Sequence, residues 1–176
     1  DHIRGTVTFA SQGIEDWVAV RGNAMPTYNL VCALDDAAME ISHVIRGEEH
    51  LVNTPKQILI FRALGVPEPE FAHVPLILGK DGKKLSKRTG DTALGDYIRA
   101  GYAADALFNF LCLLGFSIDD KTEVFTREEL LEAFTLKRIS KSGAIFDTDK
   151  LAWMCGDYIR RMSLPELVSA VLPYCI

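Results

Sequence analysis

Four cysteines (Cys32, Cys112, Cys155 and Cys175) are scattered through 176 residues, with no CxxC pair and no histidine at zinc-ligand spacing. That excludes a disulfide framework, predicts no protein-bound metal, and reads as reduced small hydrophobes in a core. No apolar stretch approaches the ~20 residues a membrane helix needs, and the N-terminus is read as lacking signal-peptide architecture. Internal repeats and low-complexity stretches are absent. Positive charge is also scarce: 19 basic residues stand against 24 acidic ones, a formal net charge of −5. This argues against a cationic coat for non-specific nucleic-acid binding. The remaining composition, 48% hydrophobic and 24% charged, is ordinary for a globular chain able to bury one good core or two small ones. A chain opening on Asp1 and closing on Tyr174-Cys175-Ile176 is read as a piece of something longer, and the expected compartment is the cytoplasm.

The few cations are clustered, and local potential rather than net charge steers a polyanion. Lys80, Lys83, Lys84, Lys87 and Arg88 fall within nine residues, and Lys137, Arg138 and Lys141 form a second group. In the first cluster an apolar run, Leu76-Ile77-Leu78, leads into a glycine-punctuated turn and then into Lys84-Leu85-Ser86-Lys87-Arg88. Glycines at 79, 82 and 90 let the backbone bend. Such a loop can close over a triphosphate and neutralise charge on a departing pyrophosphate. The alternative is a solvated basic turn.

The β-rich stretches 6–10 and 17–21, separated by Ser-Gln-Gly, predict a hairpin. Thr27 to Leu34 predicts a buried strand closed by Asp35-Asp36, and Ile41 to Ile45 a second short strand. Thr54-Pro55 opens a helix with a hydroxyl N-cap, and Gly65 stops it. Phe71 to Leu78 predicts the next strand. Strand, helix and strand of nearly continuous apolar character indicate part of a parallel α/β sheet. Beyond about residue 92 the β signal disappears. Helices are predicted over 94–100, 104–115, 126–134, 148–154 and 164–172, with a capping box at Thr126-Arg127-Glu128-Glu129 and a similar start at Ser163-Leu164-Pro165-Glu166.

A guanidinium, a bend and two carboxylates, Arg46-Gly47-Glu48-Glu49, followed by His50, sit at the carboxyl end of a predicted strand, where open α/β sheets bind ligands. Arg46 could fork onto a substrate carboxylate or pair with Asp35 or Asp36. Glu49 could accept from a ribose or simply face solvent. His50 could pack beside an adenine or be structural. Tyr28 carries a polar tip that must find a partner if buried, either a substrate carboxylate or backbone. His73 is a candidate nucleotide neighbour or a satisfied structural histidine.

Pro-Thr-Tyr-Asn at 26–29, Asp-Asp at 35–36, His-Val-Ile-Arg-Gly-Glu-Glu-His at 43–50, Asn-Thr-Pro-Lys-Gln at 53–57, Phe-Ala-His-Val-Pro at 71–75 and Gly-Lys-Lys-Leu-Ser-Lys-Arg at 82–88 occur in one order and spacing. With Glu-Ala-Phe-Thr-Leu at 132–136 and Phe-Asp-Thr-Asp-Lys-Leu at 146–151, the pattern resembles the bacterial glutamyl-tRNA synthetases over essentially the whole chain. Lys84 to Arg88 resemble their KMSKS signature. The resemblance implies an α/β fold class: the C-terminal half of a Rossmann-like class I synthetase catalytic domain (1–91, of which 1–22 end the connective insertion). A small all-helical tRNA stem-contact domain (92–176) would follow, cut before the anticodon-binding region.

The implied activity is ATP-dependent formation of glutamyl-adenylate and transfer of glutamate to the 3′ end of tRNA-Glu. Carried over residue by residue, Tyr28 and Arg46 match glutamate-binding positions. Lys84, Ser86 and Lys87 match catalytic ones. Glu49, His50, Leu85, Lys87 and Arg88 match the ATP site, and Lys137, Arg138 and Lys141 suit tRNA contact. Magnesium would arrive with ATP, no membrane partner is implied, and the parent enzyme is expected to be a monomer. Cys32 departs from family members that carry an amide there, so no polar contact to the amino acid is assigned to it. The HIGH signature and the N-terminal glutamate-matching arginine are not in the chain, which is therefore expected not to aminoacylate alone. Glutaminyl-tRNA synthetase, a tRNA-modifying paralogue and a catalytically silent RNA-binding module are the competing readings.

Overall fold

The computed structural model describes residues 1–85 and 93–175. Two compact units divide between Val74 and Pro75. In the first, α1 (Tyr28–Ala38), β1 (His43–Gly47), α2 (Thr54–Leu64) and β2 (Glu70–Val74) follow one another, with a 3-10 turn, Glu48–Asn53, between β1 and α2. A helix between two strands returns the chain to the same edge and so makes them parallel. The register runs from His43↔Glu70 to Gly47↔Val74. α2 ends where Gly65 takes φ +67 and donates to Arg62 and Phe61 carbonyls, a left-handed cap that suits glycine. Ile3, Ala33, Phe61, Ala72, Gln57 and His73 are almost fully buried in this unit.

The second unit begins with β3 (Ile77–Leu78). After it come α3 (Leu94–Arg99), α4 (Ala104–Leu113), α5 (Arg127–Ala133), β4 (Ala144–Ile145), α6 (Thr148–Arg161) and α7 (Leu164–Val171). Its core is Ala106, Leu107, Phe110, Leu114, Phe146, Leu151, Met154 and Cys155. Phe110 and Phe146 meet edge to face at 5.0 Å, the arrangement their ring quadrupoles favour. Asn109, fully buried, bonds the chain opposite: its Nδ2 donates to Glu123 O and its Oδ1 accepts from Phe125 N and from Tyr158 Oη. The two capping boxes form as the sequence predicts. Thr126 Oγ1 accepts from Glu129 N while Glu129 accepts from Thr126 N, and Glu166 accepts from Ser163 N.

Four expectations are corrected. Thr27 to Leu34 is not a strand: it forms the N-cap and first two turns of α1. Its apolar positions at 30, 31, 33 and 34 fit a helical stripe as well as a continuous buried run, and the helix gains length through Ala37-Ala38. The predicted hairpin of 6–10 with 17–21 does not form. Ala19 and Arg21 instead bond forward to Thr27 and Met25 across the shorter Gly22-Asn23 turn, leaving Ser11–Gly13 as a 3-10 turn. The strand predicted over 71–78 is broken at Pro75, which has no N–H for a ladder, so β2 and β3 belong to separate sheets. The β structure does not end at 92 either. Ala144–Ile145 pairs in parallel with Ile77–Leu78, a segment too short to carry a period. The second short strand and the helices from 94 onward appear with shifted ends, α6 running on to Arg161.

Candidate active site

At the carboxyl end of β1, Arg46 is held from three sides by neutral groups. Its Nε donates to His73 Nε2 at 3.1 Å and its Nη2 to Thr54 Oγ1 at 2.9 Å. Phe71 lies under the guanidinium, 5.6 Å from ring centroid to Cζ. Nη1 is buried with no hydrogen-bond acceptor. The alternative of an ion pair with Asp35 or Asp36 is not realised; Asp36 instead lies 3.6 Å from Cys32 Sγ. The guanidinium is half-buried and also interacts with the Tyr28 hydroxyl, and a buried donor left open on it is stabilised when an anion completes it. Chemically, Nη1 can donate to a ligand's carboxylate or phosphate oxygen.

His73 fixes that cation. Its ring is fully buried, with Nδ1 2.6 Å from Asp1 Oδ2 and Nε2 facing Arg46 Nε and Thr54 Oγ1. Burial, and next the positive charge of Arg46, push its pKa down to about 4. The neutral tautomer therefore carries its proton on Nδ1, donates to Asp1 and accepts from Arg46. Both nitrogens are engaged, so His73 is a structural partner of Arg46 and is not open to a nucleotide. Asp1 also accepts from the amides of Ile3, Arg4 and His73. Nothing in the sequence pattern pointed to it. Thr54 was legible only as a helix cap, but the N-cap position belongs to Asn53. The Thr54 hydroxyl serves Arg46 and His73 instead.

Tyr28 starts α1 and is half exposed, its ring 5.5 Å from that of His50. Its hydroxyl is raised above the ordinary phenol range by burial and then by Cys32, with Arg46 pulling the other way. Tyr28, Arg46 and His50 are thus brought together. The Cys32 thiol is likewise raised by burial and by Asp36, so it stays protonated and is a poor nucleophile. His50 Nδ1 lies 3.3 Å from Asn53 Nδ2. Glu48 is committed to Arg4. The Glu49 carboxylate folds back over Gly47, so close that a Cβ there would lie 2.2 Å from Oε2.

In the second unit, Gly79 N bonds to Lys83 O, Gly82 takes φ +73, and Leu85 N bonds to Ile77 O. This tight turn delivers Lys84 opposite Leu78 and packs Leu85 against the core. Lys80 leaves the cationic group, lying 3.1 Å from Asp147 and 2.5 Å from Asp149 at the start of α6. Ser86, Lys87 and Arg88 lie outside the described residues. Lys137, Arg138 and Lys141 are exposed around the 3-10 turn Leu136–Arg138, where Arg138 Nη1 donates to Ile118 O at 2.6 Å. A cavity of about 790 Å³ in the same unit, lined by Phe108, Arg127, Tyr158 and Glu166 among others, contains none of the predicted site residues.

Taken with this geometry, the sequence matches the family described as tRNA synthetases class I (E and Q), catalytic domain, over residues 1–153, and the chain belongs to that family. It has the mixed α/β, helix-rich fold of that catalytic domain. Among individual proteins it is 51% identical over 174 residues to the glutamate–tRNA ligase of Desulfitobacterium hafniense and 52% identical to that of Carboxydothermus hydrogenoformans. Each match covers 99% of this chain and 36% of the relative. It is also similar to the crystal structure of a glutamate tRNA ligase from Elizabethkingia meningosepticum in complex with its amino acid. There the TM-score is 0.86 at 36% identity, over 99% of this chain and 39% of that one. The chain thus spans little more than a third of the length of these relatives.

Proposed function

We propose that the chain is part of a ligase that activates glutamate with ATP and transfers it to the 3′ end of tRNA-Glu. The observation that carries this is the buried, unspent Nη1 of Arg46 in a chain about half identical to glutamate–tRNA ligases. Arg46 pairs with a glutamate carboxylate and Tyr28 steadies the amino acid beside it. Glu49, His50, Leu85, Lys87 and Arg88 hold ATP, whose magnesium comes with it. A glutamate carboxylate oxygen then attacks the α-phosphorus and pyrophosphate leaves. Lys84, Ser86 and Lys87 stabilise the charge that builds on pyrophosphate. In the second step a ribose hydroxyl of the terminal tRNA adenosine attacks the activated carbonyl, its proton is lost and AMP departs.

On this reading residues 1–91 complete a nucleotide-binding domain, and the helices within 92–176, which share a compact unit with Ile77–Leu78, contact the tRNA stem, where Lys137, Arg138 and Lys141 meet its phosphates. The chain alone is inactive, because the HIGH signature lies elsewhere in the parent enzyme. The test is glutamate- and tRNA-dependent ATP–pyrophosphate exchange by the chain alone and with the preceding half of the catalytic domain added in trans. Exchange only in the mixture is expected. Exchange by the chain alone would overturn the assignment of catalytic residues, and silence in a mixture shown to associate would overturn the ligase reading.

A further inference from the structure

Away from Arg46, the described residues hold one group of side chains with metal-ligating chemistry: His2, His43 and Glu70, whose ligand atoms all lie within 4.8 Å of one another. They come from three sequence segments at no motif spacing, and backbone bonding fixes all three. His43 and Glu70 are register partners at the amino end of the β1–β2 pair. His2 donates its backbone N–H to Phe71 O at 2.9 Å. The segment carrying it is clamped by the Asp1 carboxylate and by the buried Ile3. His2 Nε2 is hydrogen-bonded to Glu70 Oε2, and His43 Nε2 lies 3.7 Å from the same oxygen. The two imidazoles stack with centroids 5.8 Å apart. Ser42 Oγ sits 3.0 Å from His43 Nδ1. Accepting a proton there leaves the lone pair on Nε2, the nitrogen that faces Glu70, as outer partners of metal-binding histidines do.

The geometry points to a site for a divalent transition metal of the zinc type, with Nε2 of His2, Nε2 of His43 and a carboxylate oxygen of Glu70 as three ligands and water as the fourth. Two imidazoles and one carboxylate suit zinc and its neighbours, whereas calcium and magnesium require shells of oxygen. Zinc bonds of about 2.0–2.2 Å in a tetrahedron set neighbouring ligand atoms about 3.4 Å apart. His43 and Glu70 are nearly there, and the exposed side chains can close the remainder by rotation. The metal clips the first residues of the chain onto the amino end of the strand pair whose carboxyl end carries Arg46. None of the three ligands is assigned to glutamate, ATP or tRNA, so the site stands or falls independently of the proposed ligase chemistry.

Zinc titration of the 176-residue chain by calorimetry, with cobalt substitution followed by absorption, tests it. The expected result is one metal per chain, a thermal midpoint raised by zinc and restored by chelator, and a cobalt spectrum without thiolate charge transfer. His2→Ala, His43→Ala and Glu70→Gln, all exposed positions, should each weaken binding about 10-fold or more with circular dichroism unchanged. Absence of saturable binding, wild-type affinity in the His2→Ala/His43→Ala double variant, or a thiolate signature from the four cysteines would each overturn the site.

Discussion

His73 Nε2 accepts from Arg46 Nε at 3.1 Å, so an imidazole that must stay neutral orients a guanidinium that must stay charged. The depressed pKa makes this arrangement sensitive to acid. With a folded value of about 4 and an unfolded one near 6.5, the unfolded chain binds the extra proton first as pH falls. The stabilisation is fully present above pH ~6.5 and is lost progressively toward pH ~4, with an upper bound of about 3 kcal/mol. Urea unfolding at pH 7 and pH 5 should therefore show a drop in stability that His73→Gln largely removes. Parallel pH dependence in the two proteins would show that His73 is not the titrating group.

Arg46→Gln separates stability from binding. The substitution removes a cation that the fold leaves incompletely paired, and Thr54 can still donate to His73. Stability should change by less than about 1 kcal/mol. In the complete parent ligase, KM for glutamate should rise about 100-fold, corresponding to the ~3 kcal/mol of a charge-assisted pair. A large loss of stability with an unchanged glutamate KM would make Arg46 a structural residue.

The candidate site at the carboxyl end of β1 was legible as a group because Arg46-Gly47-Glu48-Glu49-His50 is one contiguous block, and because motif order survives errors in secondary structure. Tyr28 was singled out on a predicted strand that is in fact the first turn of α1. Helix starts such as Thr126 and Ser163 were readable since a capping box is a four-residue pattern with its own hydrogen bonds. What could not be read depends on tertiary partners. Asp1 meets His73 only once the first residues lie along β2. Ala144–Ile145 becomes a strand only because Ile77–Leu78 offers an edge. Lys80 counted as one more loop cation until the start of α6 brought Asp147 and Asp149 to it.

In the second unit, Asn109 carries more of the fold than its polarity suggests. Its three bonds tie α4 to the chain around Glu123 and Phe125 and to Tyr158. Asn109→Leu would leave the buried Phe125 N–H without an acceptor and should cost about 3 kcal/mol in chemical denaturation. Tyr158→Phe removes one donor and leaves the Phe125 bond intact, so about 1 kcal/mol is expected. Equal costs for the two changes would mean that the amide is not the hub.

Gly47 is small for the sake of Glu49. Its backbone, at φ −63 and ψ 146, is one that alanine adopts without strain, so conformation does not require glycine here. The Glu49 carboxylate does: it lies 2.2 Å from where a Cβ would be placed. Because the obstacle is the far end of a flexible, exposed side chain, Gly47→Ala should displace Glu49 with little change in stability, within about 0.5 kcal/mol. The stiffer unfolded chain could even raise the thermal midpoint. The functional effect should be selective. If Glu49 contacts ATP, as proposed, Gly47→Ala in the parent ligase should raise KM for ATP as Glu49→Gln does while leaving KM for glutamate near its original value. A Gly47→Ala enzyme with unaltered ATP kinetics, alongside an impaired Glu49→Gln, would show that the folded-back position of Glu49 is not the one that meets the nucleotide.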